Sequence, residues 1–260
     1  MRLLTLNCHA WQEENQEEKI EILARTIVDN DYDVIALQEV SQKNASDARV
    51  DEHYGYVLLD KLKALGRAED EMVWTFSHYS YDTQAEGLAI LTRLPIVRTS
   101  EFFITASHDP AVWKTRSIVR ATVLYGKQEI DLYSCHLGWW NDLEEPYKEQ
   151  VDRLMEKVDS QRLSILLGDF NNDAGITGEG YTYLVEKGLF DTYTLAENKD
   201  SGVTISGKIA GWSENERQLR IDFIFANQPV RVAYSRVIFN GENQPVVSDH
   251  FGVEVELATE

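Results

Sequence analysis

Leu163-Ser164-Ile165-Leu166-Leu167-Gly168-Asp169-Phe170-Asn171 decides the reading of this chain, because an apolar run of strand length stops on a glycine and two polar side chains. The pattern recurs. Arg2 to Asn7 is a short apolar strand closed by Asn7, Asp33 to Gln38 is followed at once by Glu39, and Ile130 to Cys135 is closed by His136. Asp222 lies within Leu219 to Phe225, and Ser248-Asp249-His250 precedes the strand Val253 to Leu257. Charged side chains are seldom set against buried strand ends unless they are paired or hold a ligand. Convergence of these ends on one cleft accounts for the pattern.

Between the first two strands, Ile20, Leu23, Ala24, Ile27 and Val28 fall on one face of a helix spanning Glu17 to Asn30. Tyr147, Val151, Leu154, Met155 and Val158 repeat the helical period between the strands ending at His136 and Leu167. Met72 to Phe76, Gly87 to Leu91, Arg116 to Leu124 and Arg231 to Phe239 complete the strands. Many strands with few helices call for an α/β fold of two sheets packed face to face with helices outside. No repeat or linker divides residues 1–260, so one domain is expected. Ser41 to Glu71 and Ala196 to Glu216 read as long loops, common places for substrate contacts.

The 44 acidic against 25 basic residues give a formal charge of −19. Such a surface repels a polyanion, and no cluster of Lys and Arg offers the counterion release on which nonspecific nucleic-acid binding rests. The composition therefore disfavours nucleic acid as partner. Cys8 and Cys135 each end an apolar run, as buried free thiols do. The N-terminus lacks the pattern of a signal peptide, and no segment approaches the ~20 apolar residues of a membrane span. A cytoplasmic protein with no membrane partner is expected; oligomeric state is not legible.

Carboxylates, carboxamides and carbonyls are hard oxygen ligands suited to Mg²⁺ or Mn²⁺, whereas zinc favours His and Cys. Hydrolysis of a phosphate ester needs such a cation, a base for water, and donors for the developing charge. The polar residues at the strand ends contain these parts.

Asn7, Leu37-Gln38-Glu39, His136, Gly168-Asp169-Phe170-Asn171, Arg220-Ile221-Asp222 and Ser248-Asp249-His250 stand in the motif order of the endonuclease/exonuclease/phosphatase superfamily, which the chain resembles over nearly its whole length. The resemblance implies a four-layer sandwich of deoxyribonuclease I type, two mostly antiparallel sheets flanked by helices. It further implies Glu39 as the main metal ligand, with Asn7 beside it and Asp249 near the metal. Asp169 and Asn171 would align the attacking water and hold the phosphate. His250, oriented by Asp222, would contact the phosphate, and His136 would donate from the other side with Glu86 as its partner. His9, His53, His78 and His108 match no motif and read as surface or loop residues.

The same catalytic centre serves many substrates. Trp139-Trp140, followed by Asn141, offers an indole face for a sugar ring and a carboxamide for its hydroxyls. Adjacent residues of a strand point to opposite sides, so one of the two indoles should face the cleft; Trp113 and Trp212 read as packing rings. Ser134 to Trp140 with Glu145 to Gln150 resembles the branch that includes maltose 6'-phosphate phosphatases. A small phosphorylated substrate, a sugar phosphate, is therefore expected, cleaved at a phosphomonoester by in-line attack of water. The alternative is a Mg²⁺-dependent nuclease or another phosphodiesterase, sphingomyelinase-like enzymes included.

Overall fold

The structure is a computed structural model and describes residues 1–42, 52–80 and 84–258. In chain order the elements begin β1 (Arg2–Asn7), α1 (Gln16–Asn30), β2 (Val34–Gln42), α2 (Tyr54–Ala64), β3 (Glu71–Ser80), β4 (Gln84–Thr92), β5 (Ile96–Phe103) and β6 (Ser117–Tyr125). They continue as β7 (Gln128–His136), α3 (Tyr147–Met155), β8 (Ser164–Asp169), α4 (Gly180–Glu186), β9 (Phe190–Asp191), α5 (Thr192–Leu195) and β10 (Ala196–Lys199). The last are β11 (Ile205–Ser206), β12 (Gln218–Leu219), β13 (Asp222–Ala226), β14 (Val232–Ile238) and β15 (Gly252–Leu257).

Alternation along the strands builds the layers. Leu3, Val34 and Ala36 face the second sheet, while Leu4, Leu6, Ile35 and Leu37 face Ile20, Leu23 and Ile27 of α1 and Leu58 and Leu62 of α2. Tyr147, Val151 and Leu154 of α3 join the core on the other side. The result is an α/β sandwich of a seven-stranded sheet, order β10-β14-β15-β1-β2-β4-β3, on a six-stranded one, order β5-β6-β7-β8-β13-β9. Both sheets are mixed: β1 and β2 run parallel, as do β7 and β8, spanned by α1 and α3 respectively. A polar bridge crosses the apolar interior. Thr5 Oγ1 donates to Gln38 Oε1 (3.2 Å), Gln38 Nε2 to Ser134 Oγ (3.1 Å), and Ser134 Oγ to Leu37 O (3.0 Å). Every group in it has a partner, as buried polar atoms require.

Four readings of the sequence need correction. The loop expected from Ser41 to Glu71 contains α2, whose Tyr54, Leu58 and Leu62 are buried at helical spacing; residues 43–51 of that stretch lie outside the described residues. The loop expected from Ala196 to Glu216 opens with β10 and contains β11. Leu219 to Phe225 is not one strand: the chain breaks at Arg220-Ile221, so that β12 pairs with β11 and β13 pairs with β8 and β9. β5 and α4 have no counterpart among the expected elements; half of the β5 residues are exposed and none is buried, so it carries no strong apolar period. Cys8 and Cys135 are buried free thiols. Among the described residues no helix is long and apolar enough to cross a membrane.

Candidate active site

Register brings the polar strand ends together. His136 pairs with Asp169 across β7 and β8, and Asp169 pairs with Asp222 across β8 and β13, so three functional side chains occupy neighbouring positions on adjacent strands. The close approach of β7 and β8 needs glycine at the end of the run: Gly168 has φ +154°, and an added Cβ would lie 1.9 Å from Cys135 O. On the facing sheet, β2 bulges between Leu37 and Val40, and Glu39 within the bulge takes the left-handed φ of +53°. A bulge of this kind re-aims a side chain out of the ladder.

Asp169 is the hub. Its Oδ1 accepts from the backbone N–H of Asn171 (2.8 Å), and its Oδ2 accepts from Asn7 Nδ2 (3.2 Å) while lying 3.6 Å from His136 Nε2 and 3.8 Å from His250 Nε2. Asn7 Nδ2 also donates to Glu39 Oε1 at 2.9 Å, so that one carboxamide nitrogen ties Glu39 of the first sheet to Asp169 of the second. The carboxamide oxygen of Asn7 accepts from His9 N (3.2 Å). Asn7 therefore turns its nitrogen toward the carboxylates, and coordination through its oxygen would require that group to turn.

The two imidazoles are driven in opposite directions. Both Asp222 oxygens meet His250 Nδ1, at 3.2 and 3.0 Å. Burial opposes the charge on His250, but Asp222 and Asp169 outweigh it and raise its pKa to about 10. His136 is held well below the ordinary imidazole value by burial, with Arg116 pushing the same way. At neutral pH the site thus holds one imidazolium and one neutral imidazole, environments that separate acid from base roles. Burial, with Asp222 adding repulsion, raises the Asp169 carboxyl.

A cavity of about 700 Å³ opens over this hub. Glu39, Glu86, His136, Trp139, Asp169, Asn171 and His250 line it. Asn7 and Asp222 stand one contact behind. Of the two tryptophans, Trp139 faces the cavity, and Trp140 packs instead against Tyr147 and Tyr183. Asn141 is exposed and is not among the lining residues. Asp249 looks toward His9 Nδ1 (3.6 Å), whose nearer partner is Glu13 (2.8 Å).

Eight lining residues escaped the sequence reading, and four of them shape the site. His78, expected as a surface or loop residue, is buried on β3; its Nδ1 meets Thr115 O (3.0 Å), so its Nε2 is the atom that faces Glu86 Oε1 at 3.4 Å. Glu86 is therefore placed beside His78 and not, as expected, beside His136, because β3 bulges between Phe76 and His78 and sets His78 opposite Glu86. Arg116 is buried, donates through Nη1 to Trp113 O (2.7 Å), and has no hydrogen bond at Nε among the described residues. It opens the strand expected over Arg116 to Leu124, and a cationic side chain at that strand end is the same signal that marks the other cleft residues. Trp113, expected to pack, is 52% exposed and stands 6.0 Å from Trp139, ring centre to ring centre. Gly211 is the fourth, from the tip of the β11–β12 hairpin, whose Trp212 also reaches the site. Of the other unmatched histidines, His53 is buried and caps α2, and His108 stacks on Phe103.

The donor set fits a hard divalent cation. Among the described residues, His9, Glu13 and Asp249 form one group whose ligand atoms lie within 4.8 Å of one another, and Asp169, Asp222 and His250 form another. Carboxylate oxygens dominate both. Burial holds the Asp249 carboxyl above its usual range with Glu39 adding to the push, and burial with Glu39 does the same to Glu86. Such crowding is what a bound cation relieves.

The profile of the endonuclease/exonuclease/phosphatase family matches residues 10–250, and the chain belongs to that family. Its members are hydrolases of phosphoesters, generally dependent on a divalent metal, and this chain is a phosphoesterase of that superfamily. It is similar to an endonuclease/exonuclease/phosphatase family protein from Leptotrichia buccalis, with 41% identity over 100% of both chains and a TM-score of 0.91. A mannosyl-6-phosphatase from Bacteroides thetaiotaomicron shares the fold at 19% identity over 100% of both chains, TM-score 0.74. TDP2 from D. rerio, solved with a single-strand DNA product, shares it at 16% identity over 100% of this chain and 99% of that one, TM-score 0.68. Comparison with curated proteins gives no match.

Proposed function

We propose that the chain is a cytoplasmic phosphatase that removes phosphate from a small phosphorylated sugar, of the maltose 6'-phosphate type. The observation that carries this reading is the make-up of the cavity: a cluster of acids and imidazoles together with the indoles of Trp113 and Trp139, and Arg116 as the one Lys or Arg among its described lining residues. A volume of about 700 Å³ in which indole rings accompany a cluster of convergent polar groups suits a small molecule. A long duplex would need a row of cations instead. That a mannosyl-6-phosphatase shares the fold adds support of the weaker, fold-level kind.

In this reading Asp169 aligns the attacking water while its Oδ1 stays anchored by Asn171 N. His250, charged through Asp222, donates to the phosphate. His136, neutral, donates toward the leaving group, and Asn171 and Arg116 add donors for charge that develops on the phosphoryl oxygens. Glu39, with Asn7 and Asp249, would hold Mg²⁺ or Mn²⁺, which would supply further positive charge there. Trp139 stacks on the sugar.

The purified protein, with Mg²⁺, would be offered a panel of sugar phosphates and supercoiled plasmid. Release of phosphate from a sugar phosphate is expected. Trp139→Ala should raise KM about tenfold with kcat little changed, as loss of uniform binding requires. A protein that nicks plasmid at catalytic concentration and ignores every sugar phosphate would replace this reading with the nuclease one.

A further inference from the structure

The β11–β12 hairpin is built into the site at its root and reaches the site again at its tip. Ile205 pairs with Leu219 and Ser206 with Gln218, and Ile205, Leu219 and Ile221 form a small buried cluster on which Ile209 and Trp212 pack. Buried Thr204 anchors the root. Its hydroxyl accepts from the backbone N–H of Ile221 (3.2 Å) and Asp222 (3.3 Å), its N–H donates to Leu219 O, and its carbonyl accepts from Phe251 N. The hairpin is thereby fixed between Asp222 and Phe251, the residue after His250. At the tip, Trp212 N donates to Ile209 O, and Asn215 Nδ2 closes the turn on Gly207 O and Arg217 O.

From this tip the indole N–H of Trp212 donates to Asn171 Oδ1 at 3.2 Å. On its other side the same carboxamide donates through Nδ2 to Leu137 O at 2.9 Å. An indole N–H only donates and a carbonyl only accepts. The two partners together therefore admit one orientation of the carboxamide, oxygen toward Trp212 and nitrogen toward Leu137. The backbone adds its own constraint, since Asn171 has φ +51° and its N–H is held by Asp169.

We infer that Trp212 is a positioning residue: it occupies the carboxamide oxygen of Asn171, so that Asn171 meets the substrate phosphate only as an N–H donor. The inference rests on the phosphate-ester reading of the cleft, which supplies the anion. A carboxamide free to flip would set its oxygen against an anionic phosphoryl oxygen, a repulsive contact that strengthens as charge develops. The same tip also forms part of the leaving-group wall. Ala210 and Gly211 line the cavity, and a Cβ on Gly211 would lie 2.9 Å from the Trp139 ring. One hairpin thus joins the wall that meets the leaving group to the donor that meets the phosphate.

Trp212→Phe keeps an aromatic ring on Ile205, Leu219 and Ile221 and removes the N–H. With p-nitrophenyl phosphate, or whichever phosphate ester the enzyme turns over, kcat should fall about tenfold and KM stay within about twofold, because the interaction counts most in the transition state. In an Asn171→Ala background the same substitution should cause no further loss, since residues acting as a unit are non-additive. A single variant as active as the parent, or an equal loss in both backgrounds, overturns the inference. A second readout needs no turnover. The Trp212 indole signal in a proton–nitrogen correlation spectrum, assigned by its loss in Trp212→Phe, should shift on Asn171→Ala; an unmoved signal also overturns the inference. If sugar phosphates are ignored while the spectrum and the double mutant behave as expected, the substrate reading fails alone.

Discussion

Glu39 is the residue on which the chemistry turns. It follows the apolar run Val34 to Leu37 and Gln38, yet the bulge and the left-handed backbone swing it into the cleft, where Asn7 Nδ2 is its hydrogen-bond partner. A carboxylate at the edge of a cleft contributes little to the core, so Glu39→Gln should abolish most turnover while leaving the unliganded melting temperature nearly unchanged. A ligand that binds only the folded state stabilises it, by about 2.7 kcal/mol at a hundredfold excess over Kd. Mg²⁺ added to EDTA-stripped protein should therefore raise the melting temperature by several degrees, and Glu39→Gln should lose that gain. Equal gains in the two proteins, measured calorimetrically, would remove Glu39 from the metal site.

Elements impose their own constraints. The pairing of β7 with β8 brings Cys135 O against Gly168, where φ is +154° and no Cβ fits. Backbone cannot retreat within a six-stranded sheet without disturbing His136 and Asp169. Gly168→Ala should cost about 3 kcal/mol or fail to fold, through strain and overpacking together; a variant with parental stability in urea would contradict the placement of these strands. At α2, His53 Nδ1 accepts from Gly55 N (3.2 Å), which requires that nitrogen to be unprotonated. Burial pushes His53 down to about 4, below the ~6.5 of an unfolded chain. As pH falls from ~6.5 toward ~4, the unfolded state takes up the proton first, so this contribution to stability is full above the window and lost across it. His53→Asn keeps a capping acceptor and should flatten the loss by up to ~3 kcal/mol. The comparison is between urea midpoints at neutral pH and at about pH 4.5; an identical fall in both proteins would assign the acid sensitivity elsewhere.

For the whole molecule, the charge of −19 opposes the approach of any anionic substrate. Added salt screens that repulsion over a Debye length of about 10 Å at 0.1 M. At saturating Mg²⁺, kcat/KM for a sugar phosphate should therefore rise modestly as salt goes from ~0.01 to ~0.15 M. A cation-steered enzyme would show the opposite slope, and a falling kcat/KM would mean that a local positive field around Arg116 and His250 outweighs the global charge.

Sequence alone determined the two-sheet architecture and the positions at which polar side chains end buried strands, because a polar residue that interrupts an apolar run is a local signal. Asn7, Glu39, His136, Asp169, Asp222 and His250 were each legible in that way, and the structure brings them to one hub. Helix α2 was legible too, in the spacing of Tyr54, Leu58 and Leu62, but the polar residues around it masked the period. What only the tertiary structure decided were partnerships between side chains distant in sequence. Glu86 meets His78 because a bulge in β3 shifts the register, which no composition reports. Trp212 meets Asn171 across 41 positions because Thr204 roots its hairpin between Asp222 and Phe251. Arg116 became a cleft residue only when the strands enclosed its guanidinium. Local pattern states which residues stand at strand ends; register, bulges and the packing of distant segments decide which atoms of those residues meet.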